Sequence, residues 1–463
     1  MINKQNLIRK YSSGQVMILT IVFSAILLSL MAGLIGYWMT QIAHHRQSLA
    51  RTKALNIAEA GVEMALWKLN NQPGYNGEVS TFYGEGEYNV TITELSSTTK
   101  LVRADAFVPN ATSPRGKRSV QLTLVIGTTN VGFNYGVQVG DGGLEMANSS
   151  QVVGNVYSDG DIIGTNSARI QGTAIAAGTS IIDGMDVDNN AQAHTIRNNS
   201  SIMGNATVSV LQNSTVGGNL QADSISSCTV GGSAVYDTRT SCTIDGTATS
   251  PNPNAYFQAP VVPLPITEEQ IDGWEDDAES GGSIGTQSFS SGSRSLGPVK
   301  INGDLILSNT AELIITGTIW VTGQLSILNQ SILKLSPGYG GLSGMVLVGT
   351  DESPTEGFID ISNNTEILGS GTAGSYLMLL SQKEGFASTA IRNNNTGVAA
   401  ILYAGEGTIE LGNSAAMKEV TAGKLVVANT STVTYETGLA NTAFTSGPGG
   451  GWEVMDGTWQ LVQ

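Results

Sequence analysis

A short motif recurs every 14 residues, starting at positions 199, 213, 227 and 241, and it restricts the possible folds more than any other feature. Each copy is a small polar run followed by Val or Ile, any residue, and Gly. One copy cannot bury its apolar residue alone, whereas stacked copies bury a continuous core. The repeat therefore predicts a β-solenoid with Val or Ile pointing inward and Gly permitting the corner. The remaining copies of the pattern are Ile170–Gly172, Ile301–Gly303 and Ile315–Gly317.

The two cysteines occupy the same place in consecutive repeats, at Cys228 and Cys242. Equivalent residues of adjacent coils lie about 4.8 Å apart, which is within reach of a disulfide. The spacing is not that of a CxxC redox or zinc site. We expect a disulfide between them, and the alternative is a pair of buried free thiols.

An apolar segment near the amino terminus runs from Val16 to Met39, and no charged residue occurs from Tyr11 to Ala43. As a helix these residues span about 36 Å, enough to cross a bilayer. Lys4, Arg9 and Lys10 precede the segment. The positive-inside tendency then places the amino terminus in the cytoplasm and the rest of the chain outside it. A cleaved secretory signal would have a shorter apolar region and a small-residue cleavage site.

The helix is expected to continue to about Asn70, because apolar residues recur at steps of three and four as far as Leu69. The charge changes along the chain. Residues 1–70 hold seven basic and two acidic side chains, so a net charge of −16 leaves about −21 for the remainder. A surface this acidic argues against nucleic acid as a partner, because phosphate binding needs clustered Lys and Arg.

Two stretches of this helix carry a resemblance to a known family: Ser12–Leu19, and Ala54–Glu63 of the form AL-x-x-AEAG-x-E. Residues 1 to about 70 resemble the PilX amino-terminal family of type IV pilus minor pilins, with a looser likeness to about residue 130. The resemblance implies that a prepilin peptidase cleaves between Gly14 and Gln15. It also implies that other pilin subunits bind the mature helix. The alternative is an uncleaved signal anchor.

One residue departs from the major pilins, which carry Glu at the fifth mature position, where this chain has Leu19. An unpaired carboxylate in lipid is costly. Leu19 therefore fits a subunit with no neighbour to pair with, such as one at a pilus tip.

The predicted fold is mainly β: a long amino-terminal helix, a small pilin-like β-sheet, and a β-solenoid. Strand patterns mark the sheet, and a Pro-rich break with a capped helix at Thr267 interrupts the repeats. Trp452 and Trp459 are expected to cap the stack, or to form a sugar-binding pair. The predicted domains are 1–14 leader, 15–71 helix, 72–130 sheet, 131–250 first solenoid part, 251–297 insertion and 298–463 second solenoid part.

Candidate chemistry is sparse. Asp186, Asp188 and Asn190 alternate like the start of a calcium loop, but the following Gly and the distal Glu of an EF-hand are missing. A solvated turn is the alternative to calcium, which is the one cofactor considered. His44, His45 and His194 are scattered and suggest no catalytic or zinc site.

The sequence thus predicts a non-enzymatic minor pilin-like subunit in the cytoplasmic membrane. Its solenoid would be displayed at the cell surface or on a pilus, toward a surface glycan or a cell-surface ligand. Two alternatives stay open. One is a membrane-anchored glycan-active β-helix enzyme. The other is a self-polymerising scaffold, since the repeats loosely resemble bactofilin-type proteins.

Overall fold

A computed structural model describes residues 13–72, 75–96, 99–253, 256–394, 400–412, 414–447 and 451–462. Most of the predicted leader, residues 1–12, lies outside this range. The first element is helix α1, Ser13–Asn71. Its expected end near Asn70 is confirmed.

A small antiparallel sheet covers the second half of α1. Its strands are β1 (Gly77–Tyr83), β2 (Gly86–Ser96), β3 (Thr99–Val108) and β4 (Gly116–Ile126), paired in that order. Alternate residues of β3 and β4 face the helix, as the alternating pattern predicts. They form one core with the apolar stripe of α1, which includes Ala54, Val62 and Leu69.

The sheet is completed by the carboxyl terminus, which is a correction to the predicted boundaries. Trp452–Val454 and Gln460–Val462 both pair antiparallel with β4. Trp452 is buried in the helix–sheet core and does not cap the solenoid. Trp459 is 49% exposed. The predicted cap and sugar-binding pair are therefore wrong for Trp452, whose ring is enclosed by protein.

The first half of the solenoid runs from Val137 to Thr249 in parallel coils. Partnered residues lie 19 apart at its start (Val137 with Val156) and 14 apart at its end (Ala234 with Ala248), so the coil narrows. Its strands are Val137–Met146, Gln151–Val153, Val156–Ser158, Ile162–Gly164, Arg169–Ile170, Ala174–Ala176, Ile181–Asp183, Asp186–Val187, Ala191–Arg197, Ser201–Ile202, Ala206–Gln212, Thr215–Val216, Leu220–Gln221, Ser224–Ser226, Thr229–Val230, Ala234–Val235, Thr238–Thr240, Thr243–Ile244 and Ala248–Thr249.

The second half has longer coils, in which Val346 pairs with Leu379, 33 residues later. Ser283–Leu296, predicted as part of an insertion, is instead the first strand of this half and pairs with Val299–Ile315. The strands are Ser283–Leu296, Val299–Ile315, Ile319–Val321, Leu325–Leu328, Ile332–Leu335, Gly344–Val348, Ile359–Ser362, Glu366–Leu368, Leu377–Ser381, Gly385–Asn394, Ala400–Leu411, Ala416–Met417, Glu419–Val427 and Thr432–Thr434. Short 3-10 helices span Pro337–Tyr339 and Thr437–Asn441.

The two halves form one stack with about 16 turns and one apolar core. They are joined out of chain order. The last coil of the second half packs on the first coil of the first half, where Val420 pairs with Val137 and Val433 with Val152. The β-solenoid prediction is confirmed, and the chain enters and leaves it at this junction. Just outside, Thr128–Val131 pairs antiparallel with Thr442–Thr445.

The Pro-rich segment 251–267, here called the strap, returns along the side of the stack. Its prolines keep it extended. Asn252 N donates to Asp237 Oδ1 (2.8 Å), Gly178 N donates to the Ala259 carbonyl (3.0 Å), and Tyr403 OH donates to the Ile266 carbonyl (3.0 Å). These partners belong to successive coils on both sides of the junction. The strap therefore ties the two halves together.

Helix α2, Glu268–Ser280, follows the strap and begins with the predicted capping box, in which Gln270 N donates to Thr267. Its Trp274 and Ala278 are buried against the outer face of the second half. Aromatic and aliphatic side chains on that face, among them Trp320, Leu347 and Tyr403, form a second apolar cluster outside the solenoid core.

Candidate functional site

The first half of α1 is the most exposed apolar surface among the described residues. Side chains from Val16 to Leu49 are all solvent-exposed, and Leu19 is 67% exposed. The most apolar 18-residue window of the helix has a mean hydropathy of 2.6, and none of it is buried. A continuous apolar helix of this length can enter a bilayer or pack against other helices.

The AEAG motif lies where α1 meets the sheet. Ala54 and Ala58 are fully buried. A side chain at Gly61 would place its Cβ 3.0 Å from the Tyr88 ring and 3.2 Å from Ala104 Cβ. The small residues of the motif therefore allow a close approach of helix and sheet, which explains why this stretch is poor in large side chains.

A polar cluster fixes the far end of α1 to the sheet. Lys68 Nζ lies 2.7 Å from Glu78 Oε2, and Tyr75 OH donates to Glu78 Oε1 at 3.1 Å. Burial alone would raise the pKa of Glu78, but hydrogen bonds from Lys68, Thr81 and Tyr75 outweigh it and lower the pKa. Glu78 therefore stays charged and holds the helix end.

The predicted cleavage site, Gly14 and Gln15, lies in the first turn of α1, and the structure describes only its backbone. Cys228 and Cys242 are joined by a disulfide with a Cα–Cα distance of 4.4 Å. The bond links consecutive coils near the narrow end of the first half, at the place that the repeat alignment assigned to both cysteines.

The predicted calcium ligands are occupied by protein contacts. Arg169 Nε donates to Asp188 Oδ1 at 2.8 Å, and Asn190 Oδ1 accepts from Asn205 N at 2.9 Å. Among the described residues, no group of three or more His, Cys, Asp or Glu side chains could hold a metal ion. Calcium at Asp186, Asp188 and Asn190 stays a prediction without support from these contacts.

Asn190 instead begins a ladder of corner residues. Asn205 Oδ1 accepts from Asn219 N at 2.8 Å, and Asn219 Oδ1 accepts from Ser233 N at 2.9 Å. On another corner, Asn148 and Asn166 adopt positive φ, and Asn148 Nδ2 donates to Asn429 Oδ1 at 3.2 Å across the junction. Asn tolerates this backbone conformation better than most residues. The predicted stacking of corner residues is confirmed.

An acidic cavity of about 340 Å³ lies between α2 and the second half. Gln382 lines it and donates to Glu275. Burial raises the pKa of Glu275 to about 7; the Gln382 hydrogen bond opposes the rise, and the charges of Asp351 and Asp272 add to it. The sequence analysis did not find this cavity, because its carboxylates come from distant segments: Glu268, Asp272, Asp351, Glu384 and Glu406.

Comparisons with known proteins do not assign a family. No family model matches the chain, and no curated protein matches it. One solved structure with some similarity is the competence-associated pilin ComZ from Thermus thermophilus. The likeness has 12% sequence identity and a TM-score of 0.26, and covers 89% of this chain and 98% of that chain. A TM-score of 0.26 does not establish a shared fold, so this likeness decides neither fold nor function.

Proposed function

We propose that this protein is a non-enzymatic minor pilin-like subunit of a type IV pilus or a related system. Its helix would first hold it in the cytoplasmic membrane with the amino terminus inside. After a prepilin peptidase cuts between Gly14 and Gln15, the exposed half of α1 would pack with other pilin subunits. The solenoid would be displayed outside, as a surface or adhesive domain at the pilus tip.

The observation that carries this proposal is the division of α1 into two parts. One continuous helix, Ser13–Asn71, exposes an apolar first half and buries its second half under a small antiparallel sheet. A plain membrane anchor needs only the first part. The AEAG stretch adds the close helix–sheet contact, and the resemblance of residues 1–70 to minor pilins supplies the leader.

The decisive experiment is mass spectrometry of the amino terminus after expression with and without a prepilin peptidase. A peptidase-dependent terminus at Gln15 is expected. Gly14→Glu should block the cut, whereas Gly33→Ala, a position with no neighbouring atom within 4 Å, should leave it unchanged. An intact leader in the presence of the peptidase would reduce the protein to a solenoid on a signal anchor.

Tip placement is tested separately with gold-labelled antibodies against the solenoid. Label at pilus ends is expected, because Leu19 leaves no carboxylate for a neighbour's amino terminus. Label along the shafts would contradict it. Binding of intact pili to glycan arrays and to cells, with pili lacking this subunit as the control, tests the adhesive role.

The acidic cavity favours one second candidate, a membrane-anchored glycan hydrolase. A carboxyl group with a pKa near 7 beside ionised carboxylates is the pattern of a general acid and its partner. Incubation of the full chain with neutral and acidic polysaccharides, followed by a reducing-end assay, tests it. Activity that disappears in Glu275→Gln would support the hydrolase, and no new reducing ends would remove it.

A further inference from the structure

A basic groove lies where the packed half of α1 meets the sheet, on the side nearer the apolar half. It encloses about 500 Å³, and Leu55 and Leu461 contribute apolar wall. Its remaining lining consists of hydrogen-bond donors and hydroxyl groups without a carboxylate: His44, Gln47, Ser48, Arg51, Thr52 and Arg118.

Arg118 occupies a position that the strand pattern would give to an apolar residue. In β4, Val120, Leu122 and Leu124 are buried toward α1, and Arg118 precedes them in the same alternation. Gly116, one step further, allows α1 to come close, since a Cβ there would lie 2.6 Å from Arg51 N. The backbone therefore brings the guanidinium groups of Arg51 and Arg118 to one groove.

The charge of this groove is uncompensated. Among the residues that the structure describes, neither Arg51 nor Arg118 is in an ion pair, although acidic residues outnumber basic ones by 38 to 22. Two cations that share a groove repel each other unless an anion lies between them. The groove thus has the charge and the donors of an anion site.

Its height along α1 indicates the source of the anion. His44 lies five residues after Met39, about 7 Å further along the helix, and Arg51 about 18 Å. The headgroup layer extends roughly 5–8 Å beyond the hydrocarbon. The lower rim of the groove is therefore level with the headgroups, and long arginine side chains can reach down to them.

We propose that this groove binds the phosphate of an anionic phospholipid headgroup in the membrane that α1 crosses. Arg51 and Arg118 would hold the phosphate oxygens through paired N–H groups, and His44 and Ser48 would add single hydrogen bonds. The lipid would fix the angle between the membrane and the rest of the protein. The inference rests on the proposed membrane insertion of α1, but not on pilus assembly.

The test uses the full chain in nanodiscs of phosphatidylcholine, with or without phosphatidylglycerol, followed by native mass spectrometry of the lipids that stay bound. The wild-type protein should retain phosphatidylglycerol at least tenfold better than phosphatidylcholine, a preference of about 1.4 kcal/mol. The double variant Arg51→Gln/Arg118→Gln should lose the preference. Lys117→Gln should keep it, because this residue has the same charge but lies on the opposite face of β4.

Three results would overturn the proposal: no lipid preference in the wild type, an unchanged preference in the double variant, or equal loss in Lys117→Gln. Inorganic phosphate is added in the nanodiscs without phosphatidylglycerol. Phosphate that binds as tightly as the lipid would show a free-phosphate site instead. Extraction of wild-type vesicles at alkaline pH is measured first, so that a failure of insertion is distinguished from a failure of lipid binding.

Discussion

Removal of the disulfide between Cys228 and Cys242 should loosen one end of the solenoid and leave the rest intact. The substitution is Cys228→Ser/Cys242→Ser. Serine is native to this corner, since Ser200 and Ser214 hold the same place in the two preceding repeats. Their hydroxyls donate to the carbonyls of Arg197 (2.7 Å) and Gln212 (2.9 Å). The double variant therefore removes the covalent link without creating a foreign side chain.

The magnitude follows from the loop that the bond closes. A sequence separation of 14 residues gives about 3 kcal/mol in the chain-entropy model. The bond connects the last two coils, in which Thr229 pairs with Thr243. Coils of a solenoid contact only their neighbours. The loss should therefore fall on the opening of the terminal coil, about a hundredfold in its equilibrium constant.

Hydrogen exchange read by mass spectrometry measures this directly. Amides of residues 238–249 should exchange about a hundredfold faster in the double variant, and amides of residues 137–158 should not change. Ser214→Ala, which removes one hydrogen bond but no link, should change exchange at most about tenfold. Unchanged protection of residues 238–249 would refute the loop-entropy reasoning, and faster exchange throughout the solenoid would refute the independence of its coils.

Three further perturbations test other parts of the fold. Glu275 has a folded pKa of about 7, above its usual value, so the folded state holds the proton more tightly and its stabilising contribution is lost as pH rises from about 4.5 through 7. Amide exchange of α2, corrected for intrinsic rates, should quicken over that range by about 1–2 kcal/mol of opening free energy, and Glu275→Gln should remove the dependence. Gly218→Ala would place a Cβ 2.6 Å from Asn205 Oδ1 and should lower unfolding stability in urea by about 2–3 kcal/mol. Gly273→Ala, in open surroundings on α2, should instead raise it by about 0.5–1 kcal/mol. Trp452→Ala should lower the stability of the helix–sheet domain by about 3–5 kcal/mol in detergent-solubilised protein, and equal urea midpoints would contradict its place in that core.

Features with a local signal could be predicted from the sequence. The 14-residue period defined the coil and the corner residues, and the capping box at Thr267 defined the start of α2. The end of α1 followed from its apolar spacing and from the absence of Pro before position 73. Each of these depends on residues that are close in the chain, where periodicity and capping are informative.

Features that depend on distant residues could not be predicted. The strand Ser283–Leu296 has few apolar residues and many Ser and Gly, so it reads as a linker until its partner strand is known. Asn70 Nδ2 donates to the Trp452 carbonyl across 382 residues. Of the basic groove, one signal was present: Arg118 at an inward position of an otherwise alternating strand.

The out-of-order joining of the solenoid has a consequence for synthesis. Val137 and Val420 pair across 283 residues (420 − 137). During translation and export, the first half emerges with the edge of Val137–Met146 open, and that edge stays unpaired until nearly the whole chain has been made. Such late, non-local pairing slows folding and exposes a sticky strand. A ribosome that stops before residue 419 should therefore leave an aggregation-prone fragment, so a periplasmic or membrane-bound chaperone that shields open strand edges would have its longest task at this one position.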